Sequence, residues 1–374
     1  MAVYKIFPIA DTTIYSGFPD MNTGLDEILD VSTNFIAAST VDSNYPQSSR
    51  YLVKFNTDEI QDIINNKISG STWSSNLKCF ISKATGLTST TMLNINPLAE
   101  DWNMGTGRYL DSPETQNGAS WKYRDYYGGT LWTVSSFNDN TTGSFNVTTN
   151  PSSQGGGVWY ISPESTQSFS YYTSKDLNTD VTSIVTDWYS GSYSNYGFIV
   201  RQSSSQEFIN NINQQVELKY FSRDTHTIYP PCLEFKWIDS TYTTGSLNVL
   251  NTLPASVILG DSPGVFYPNS VSTFRINSRP EYPPRVWQTT SVYTTNYALP
   301  ENSCYAIKDL DTNEYVVDFD STYTKLSCDS SGSYFTMYMN GLQPERYYKI
   351  LIQTTINTNT IVFDNNYIFK VVNG

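Results

Sequence analysis

His226 stands two residues after Asp224 and just ahead of a Pro-Pro pair, and it is the chain's one histidine. Any Ser-His-Asp relay would have to use it. Serines are so frequent that finding one carries no weight, and the ring reads as a loop or strand-end group bonded to backbone. Glycoside hydrolysis needs only two carboxylates several ångströms apart; the chain has 35 acidic residues and no spacing that marks out a pair. Cys79, Cys232, Cys304 and Cys328 show no CxxC spacing, so with one imidazole a zinc site is not expected, and the thiols read as free and buried. Asp11, Asp20, Asn22 and Asp26 lie close enough in sequence to offer oxygen ligands to a structural calcium, although each residue type also serves as a turn former. Gly155-Gly-Gly157 lacks the following helix and Lys-Ser/Thr pair of a phosphate cradle, and reads as a loop. The pattern predicts a non-enzyme without a cofactor.

The aromatic residues carry a second kind of chemistry. Flat rings stack on the apolar faces of sugars while polar neighbours take the hydroxyls, and the same rings anchor protein interfaces. Trp121, Tyr123, Tyr126, Tyr127, Trp132 and Trp159 crowd a loop-rich middle section and are the candidate contacts for a glycan or a protein partner. The competing reading is that Trp102 and Trp121 pin the long loops onto the fold.

Those rings need elements to hold them. The chain has 374 residues, 39% hydrophobic and 15% aromatic content, enough for two or three domains with real cores. Charged residues amount to only 15% while Tyr reaches 29, a mix that suits pleated, half-exposed strands joined by turns. A net charge of −13 argues against a nucleic-acid partner, because phosphate binding rests on clustered Lys and Arg. No run of about 18 apolar residues occurs, so no membrane insertion is expected. The opening MAVYKIFPIADTTIYSG lacks a basic segment followed by an unbroken apolar one, which predicts no secretory leader and synthesis in a cytosol.

Short strand candidates run from Thr12 to Tyr15, Tyr51 to Phe55, Lys78 to Ser82, Phe198 to Arg201, Val216 to Phe221 and Cys232 to Trp237. Two short helices interrupt them. In the first, from Asp58 to Ile68, Ile60, Ile63 and Ile64 share a face behind an Asn56…Glu59 pair shaped like a capping box. In the second, Val181, Ile184, Val185 and Trp188 form an apolar stripe with Asp180 at the N-cap and Gly191 as the breaker. Residues 111–157, rich in Gly, Ser and Asn, read as elaborated surface loops. A polar stretch over 240–246 is the expected linker between a domain of residues 1–239 and a domain of residues 247–374. In the latter, Tyr348, Ile350 and Ile352 alternate with Tyr347, Lys349 and Leu351. The run from Gly341 to Tyr347 has the spacing of a sandwich corner, with Tyr347 expected to bond back to upstream backbone. The fold class expected is all-β: a β-sandwich with one or two short helices, then an immunoglobulin- or fibronectin-like sandwich.

Four blocks in order carry a resemblance: Asp11 to Ser16 followed by Asn22-Thr-Gly24; Arg50 to Phe55; Trp102, Gly105-Thr-Gly107 and Gly118-Ala-Ser-Trp121; and Asp180 to Arg201. They resemble the DNRLRE family of jelly-roll-like domains, relatives of carbohydrate-binding modules, over most of residues 1–238. The carboxyl-terminal part, with Ile307-Lys-Asp309, Val317-Asp-Phe-Asp320, Gly341 to Tyr347 and Phe369 to Gly374, is similar to the tail ends of structural proteins of tailed bacteriophages. Phe221 to Pro231 is similar to them as well. These resemblances imply a virion component without enzymatic activity that decorates or joins the head, neck or tail. Its implied partners are other virion proteins, further copies of itself and a host-surface glycan. The alternative they leave open is a carbohydrate-binding module chain of a bacterial surface or polysaccharide-use system.

Overall fold

The computed structural model describes residues 2–34, 47–87, 90–133, 142–143, 155–207, 215–260, 262–282 and 295–373. The fold is all-β, with only two α-helices among the described residues. The chain forms two compact units, one of Ile6–Asn65 and Ser74–Glu234, the other of Met1–Lys5, Asn66–Trp73 and Phe235–Gly374. The sequence placed one boundary at 239/240; in the structure the chain passes between the units at Lys5/Ile6, Asn65/Asn66, Trp73/Ser74 and Glu234/Phe235.

The amino-terminal unit is organised by an antiparallel sheet whose strands lie in the order Ser165–Phe169, Thr91–Pro97, Phe198–Gln202, Gln47–Lys54, Ile28–Asn34, Glu217–Phe221 and Ile81–Thr85, with Ala10–Tyr15 also pairing to Gln47–Lys54. Register pairs Phe198 with Val53 and Val200 with Tyr51. Because side chains alternate across a strand, Tyr51, Val53, Phe198 and Val200 take one face, while Arg50, Leu52, Ile199 and Arg201 take the other. The first face packs against the helix Thr182–Ser190: Trp188 lies 4.5 Å from Phe198, ring centre to ring centre, and Ile184, Val185 and Trp188 are buried. Asp180 Oδ1 accepts from the Thr182 N–H and hydroxyl, and Gly191 ends the helix at φ 78°, a left-handed turn that suits glycine. The helix expected over 58–68 is α-helical only over Thr57–Asp62 and continues as a π-turn over Ile63–Ile68; Asn56 caps it through the Asp58 N–H.

The second face carries its own core. Ile14, Leu52 and Ile199 pack under Leu98, Trp102, Ala119, Trp121, Trp132, Val158 and Trp159. The segment read as surface loops over 111–157 is thus partly the lid of this face; residues 134–141 and 144–154 of it lie outside the described residues. The strand expected over 78–82 is the end of one strand and the start of another, divided at Phe80.

The carboxyl-terminal unit is a two-sheet sandwich. Ala255–Leu259, Val271–Pro280, Gly332–Tyr338 and Ser327–Asp329 form one sheet; Val265–Phe266, Asn359–Val371, Arg346–Ile356, Cys304–Asp309 and Tyr315–Val317 form the other. Phe335 joins them, stacked on Phe274 at 5.1 Å and on Tyr305 at 4.1 Å, with Phe266, Tyr348 and Phe369 completing an aromatic core. The corner exists one residue later than the sequence suggested: Tyr348, buried, donates its hydroxyl to Gln343 O at 3.0 Å, while Tyr347 is exposed. Residues 240–246 are no free linker, because the Thr243 N–H donates to Cys328 O, the Cys328 N–H to Thr241 O, and the Tyr242 hydroxyl to Leu299 O. Val3 is buried in this core and Lys5 Nζ donates to Val316 O, so the first residues belong to it.

Candidate functional site

Asn22, Arg50 and Trp121, from three of the blocks that carry the sequence resemblance, meet at the second face of the amino-terminal sheet. Asn22 is its hub. Fully buried, its amide donates to Met104 O and Ala119 O at 2.8 Å each, and its Oδ1 accepts from the Gly24 and Gly107 N–H groups. A short polar side chain thereby satisfies four backbone groups that the loops would otherwise bury unpaired. The glycines around it are there for room: a Cβ on Gly105, whose φ is 75°, would collide with the Asn22 amide, and a Cβ on Gly118 would meet the Gly105 backbone.

Beside this knot lies a buried ion pair. Arg50 Nε is 2.5 Å from Glu207 Oε1 and Arg50 Nη2 is 2.9 Å from Oε2, with both side chains wholly excluded from water. Arg50 also donates to Gly156 O, and the Ser48 hydroxyl donates to Glu207 Oε1. The guanidinium carbon lies over two indoles, 4.7 Å from the centre of the Trp121 ring and 5.1 Å from that of Trp159. A buried charge pair is costly to desolvate and holds only when its geometry is bidentate and its remaining donors are used. Here the pair is bidentate, and a further guanidinium N–H is taken by Gly156 O.

The six candidate contacts divide accordingly. Trp121, Trp132 and Trp159 are 0%, 2% and 5% exposed, so their faces are closed to a sugar or a partner; Trp132 Nε1 donates to Ser120 O, and Trp102 Nε1 to Tyr196 O. Pinning of loops, the competing reading of Trp102 and Trp121, describes their surroundings. Tyr123 and Tyr126 are half-buried and lie edge to face at 4.7 Å, and Tyr127 is 88% exposed. Composition gave no means of separating the indoles from the phenols. It also missed Tyr171 and Tyr172, 74% and 93% exposed on a turn where the Ser170 N–H donates to the Thr173 hydroxyl and Lys175 Nζ to Tyr171 O. The available signal was the tyrosine pair itself, standing between polar turn residues.

Catalytic and metal candidates fall apart in space. His226 is exposed with Nε2 3.5 Å from Glu27 Oε1, a carboxylate neighbour where a backbone partner was expected. All four cysteines are buried and free, and burial pushes the Cys79, Cys304 and Cys328 thiols up. Of the calcium candidates, Asn22 is spent on backbone, and Asp11, also buried, accepts the Arg223 N–H at 2.7 Å; no group of three or more His, Cys, Asp or Glu placed to hold a metal occurs among the described residues. Burial raises the Asp11 carboxyl to about 8, and raises Asp30 to about 6 against the pull of Lys219.

Fold and site together define an all-β protein of two compact units, one of which locks its loops onto a sheet through buried polar groups. No family model matches the chain, and no curated protein matches it. Among solved structures it is similar to a DUF4785 family protein of Legionella pneumophila, at 7% identity and TM-score 0.18 over 99% of this chain and 65% of that one. It is also similar to a β-glucuronidase of Parabacteroides merdae, at 8% identity and TM-score 0.15 over 96% of this chain and 36% of that one. The chain spans less than two thirds of either neighbour, and likeness at this level carries no argument about activity.

Proposed function

We propose that this chain is a non-enzymatic structural component of a tailed bacteriophage particle, with an amino-terminal unit of DNRLRE type, acting through contacts with other virion proteins and with further copies of itself. One observation carries the reading. The polar and aromatic residues of the resemblance, from Asn22 through Arg50 to Trp121, turn inward and are used up in holding loops to the sheet. A unit built this way is a rigid body, and rigid β-sandwiches serve as spacers whose weak contacts are multiplied by symmetry. The outward aromatics Tyr127, Tyr171 and Tyr172 sit on a weakly charged surface and supply the kind of anchor that dominates interface energies.

The test is the particle. Phage particles purified from the lysate of a strain carrying this gene, dissociated and analysed by mass spectrometry, are expected to contain the chain at a fixed copy number. Its absence from particles, or turnover of cell-wall or capsular polysaccharide by the purified chain, would overturn the proposal.

A further inference from the structure

In the carboxyl-terminal sandwich one strand edge is left without a neighbour. The strands Arg346–Ile356 and Asn359–Val371 form a long hairpin, and the outer edge of the second pairs only through Lys370 and Val371, with Val265 and Phe266. Residues 359–363 pair inward with the first strand; among the described residues no strand lies on their other side, and none of their backbone groups bonds outside the hairpin. An antiparallel ladder uses the backbone groups of alternate residues on each side, so the remaining N–H and C=O groups of this segment point outward. Protein edges are commonly blunted by lysine, proline or a bulge. Here no residue between Lys349 and Asp364 is charged and none is proline. The bulge comes only afterwards: Asp364, Asn365 and Asn366 stand between the pairs Ile350–Tyr367 and Ile352–Phe363, where the facing strand has Leu351 alone, and Asn366 takes φ 58°. Thr360 and Val362 are exposed, Val362 at 45%, while Ile361 and Phe363 are half-buried.

What covers such an edge is another strand, and this segment is its own complement. In a two-fold antiparallel pairing centred on Ile361, Val362 of each copy stands opposite Thr360 of the other, Phe363 opposite Asn359, and Ile361 opposite itself. Pairs of β-branched residues are favoured across strands, and no like charges meet. Charge singles out the same partner. The chain carries −13 overall, so two copies repel across much of their surface, and a charge-free edge is where they approach at least cost. The bulge and the Asp364 carboxylate stop the pairing at Phe363, and a two-fold contact is used up by two copies, so the edge closes a pair instead of growing a fibre. We infer that residues 359–363 are a self-association site, at which two copies of this chain join edge to edge and carry the sheet from one copy into the next. A segment this short makes a small contact, weak alone and multiplied where copies are held together. The inference rests on the self-contact proposed above and names its surface.

Sedimentation velocity on the full chain, from about 10 μM to about 1 mM, is expected to show a monomer passing to a dimer and to nothing larger. Val362→Lys, a change at an exposed position, is expected to weaken the pairing by about tenfold or more, because each copy then brings an ammonium into the joint; Val362→Thr is expected to keep it. Thermal midpoints equal to the wild type's separate lost pairing from lost fold. Disulfides test the register. Full chain carrying Thr360→Cys, mixed with full chain carrying Val362→Cys, is expected to give the mixed dimer on oxidation and far less of either self-linked dimer, the native thiols being buried. A monomer throughout, a dimer indifferent to Val362→Lys, or self-linked dimers formed as readily as mixed ones would overturn the assignment. Pairing in solution by a chain absent from particles would uphold this edge and sink the virion reading alone, and a chain present in particles that never pairs would do the reverse.

Discussion

The carboxyl-terminal sandwich and the second face of the amino-terminal sheet solve the same problem with opposite means. In the sandwich, stacked rings of Phe274, Phe335 and Tyr305 lie between two sheets, and the burial of apolar surface suffices. On the sheet face, the cover is mostly loop with only short strand pairs, so many of its backbone groups have no ladder to join. Asn22 and the Arg50–Glu207 pair take the place of that ladder. The contrast teaches that burying irregular chain requires buried polarity, and that this polarity is then unavailable for chemistry.

The comparison breaks most visibly at Asn22. Asn22→Ala orphans four backbone groups at about 1–3 kcal/mol each, so even the low end predicts a loss of about 4 kcal/mol in a denaturant titration of the amino-terminal unit; a loss below 1 kcal/mol would mean that the loops find other partners. Next comes Glu207→Ala, which takes the carboxylate away from the buried Arg50 guanidinium, at an expected cost of about 3–5 kcal/mol. Replacing both partners with Leu and Met should restore much of it, an outcome that calorimetry can check.

A third test uses pH. The Asp11 carboxyl, raised by burial to about 8 from an unfolded value near 3.8, stays protonated on folding where the unfolded chain has lost its proton. The unfolded state therefore binds fewer protons between those values, and stability falls as pH rises from about 4 to about 8, by at most about 1.4 kcal/mol per pH unit, then levels off. Asp11→Asn keeps an acceptor for the Arg223 N–H and removes the proton, so the variant should gain on the wild type across that window; parallel stability–pH curves would contradict the assignment. The smallest effect belongs to the sandwich: Tyr348→Phe, which loses the bond to Gln343 O, should cost about 1 kcal/mol and leave the amino-terminal unit's transition in place.

The same contrast explains what could be read from the sequence. Alternation over Tyr348, Ile350 and Ile352 was legible because the other side of that strand carries Tyr347 and Lys349, although the corner tyrosine was taken one position early. The helix Thr182–Ser190 was legible from its apolar stripe and its glycine stop. By contrast, Ile28–Asn34 and Thr91–Pro97 were not picked out, although Leu29-Asp30-Val31-Ser32 and Leu93-Asn94-Ile95-Asn96 alternate; the structure buries both faces of these runs, so the alternation does not mark a solvent side. The ion pair was beyond reach for another reason. Arg50 and Glu207 lie 157 positions apart, and nothing local marks a charged residue as destined for burial. Exposure of Tyr171 and Tyr172 against burial of Trp121 and Trp159 likewise depends on which loop folds back over the sheet, a long-range outcome.

The claim on which the account turns is that this protein is a passive body covered by neighbours in a phage particle. Cross-linking mass spectrometry on intact particles addresses it most directly, using exposed amines such as Lys83, 55% accessible. The account predicts cross-links from this chain to other particle proteins and between copies of the chain itself; particles that yield only cross-links within single chains, or none from this protein, would contradict it.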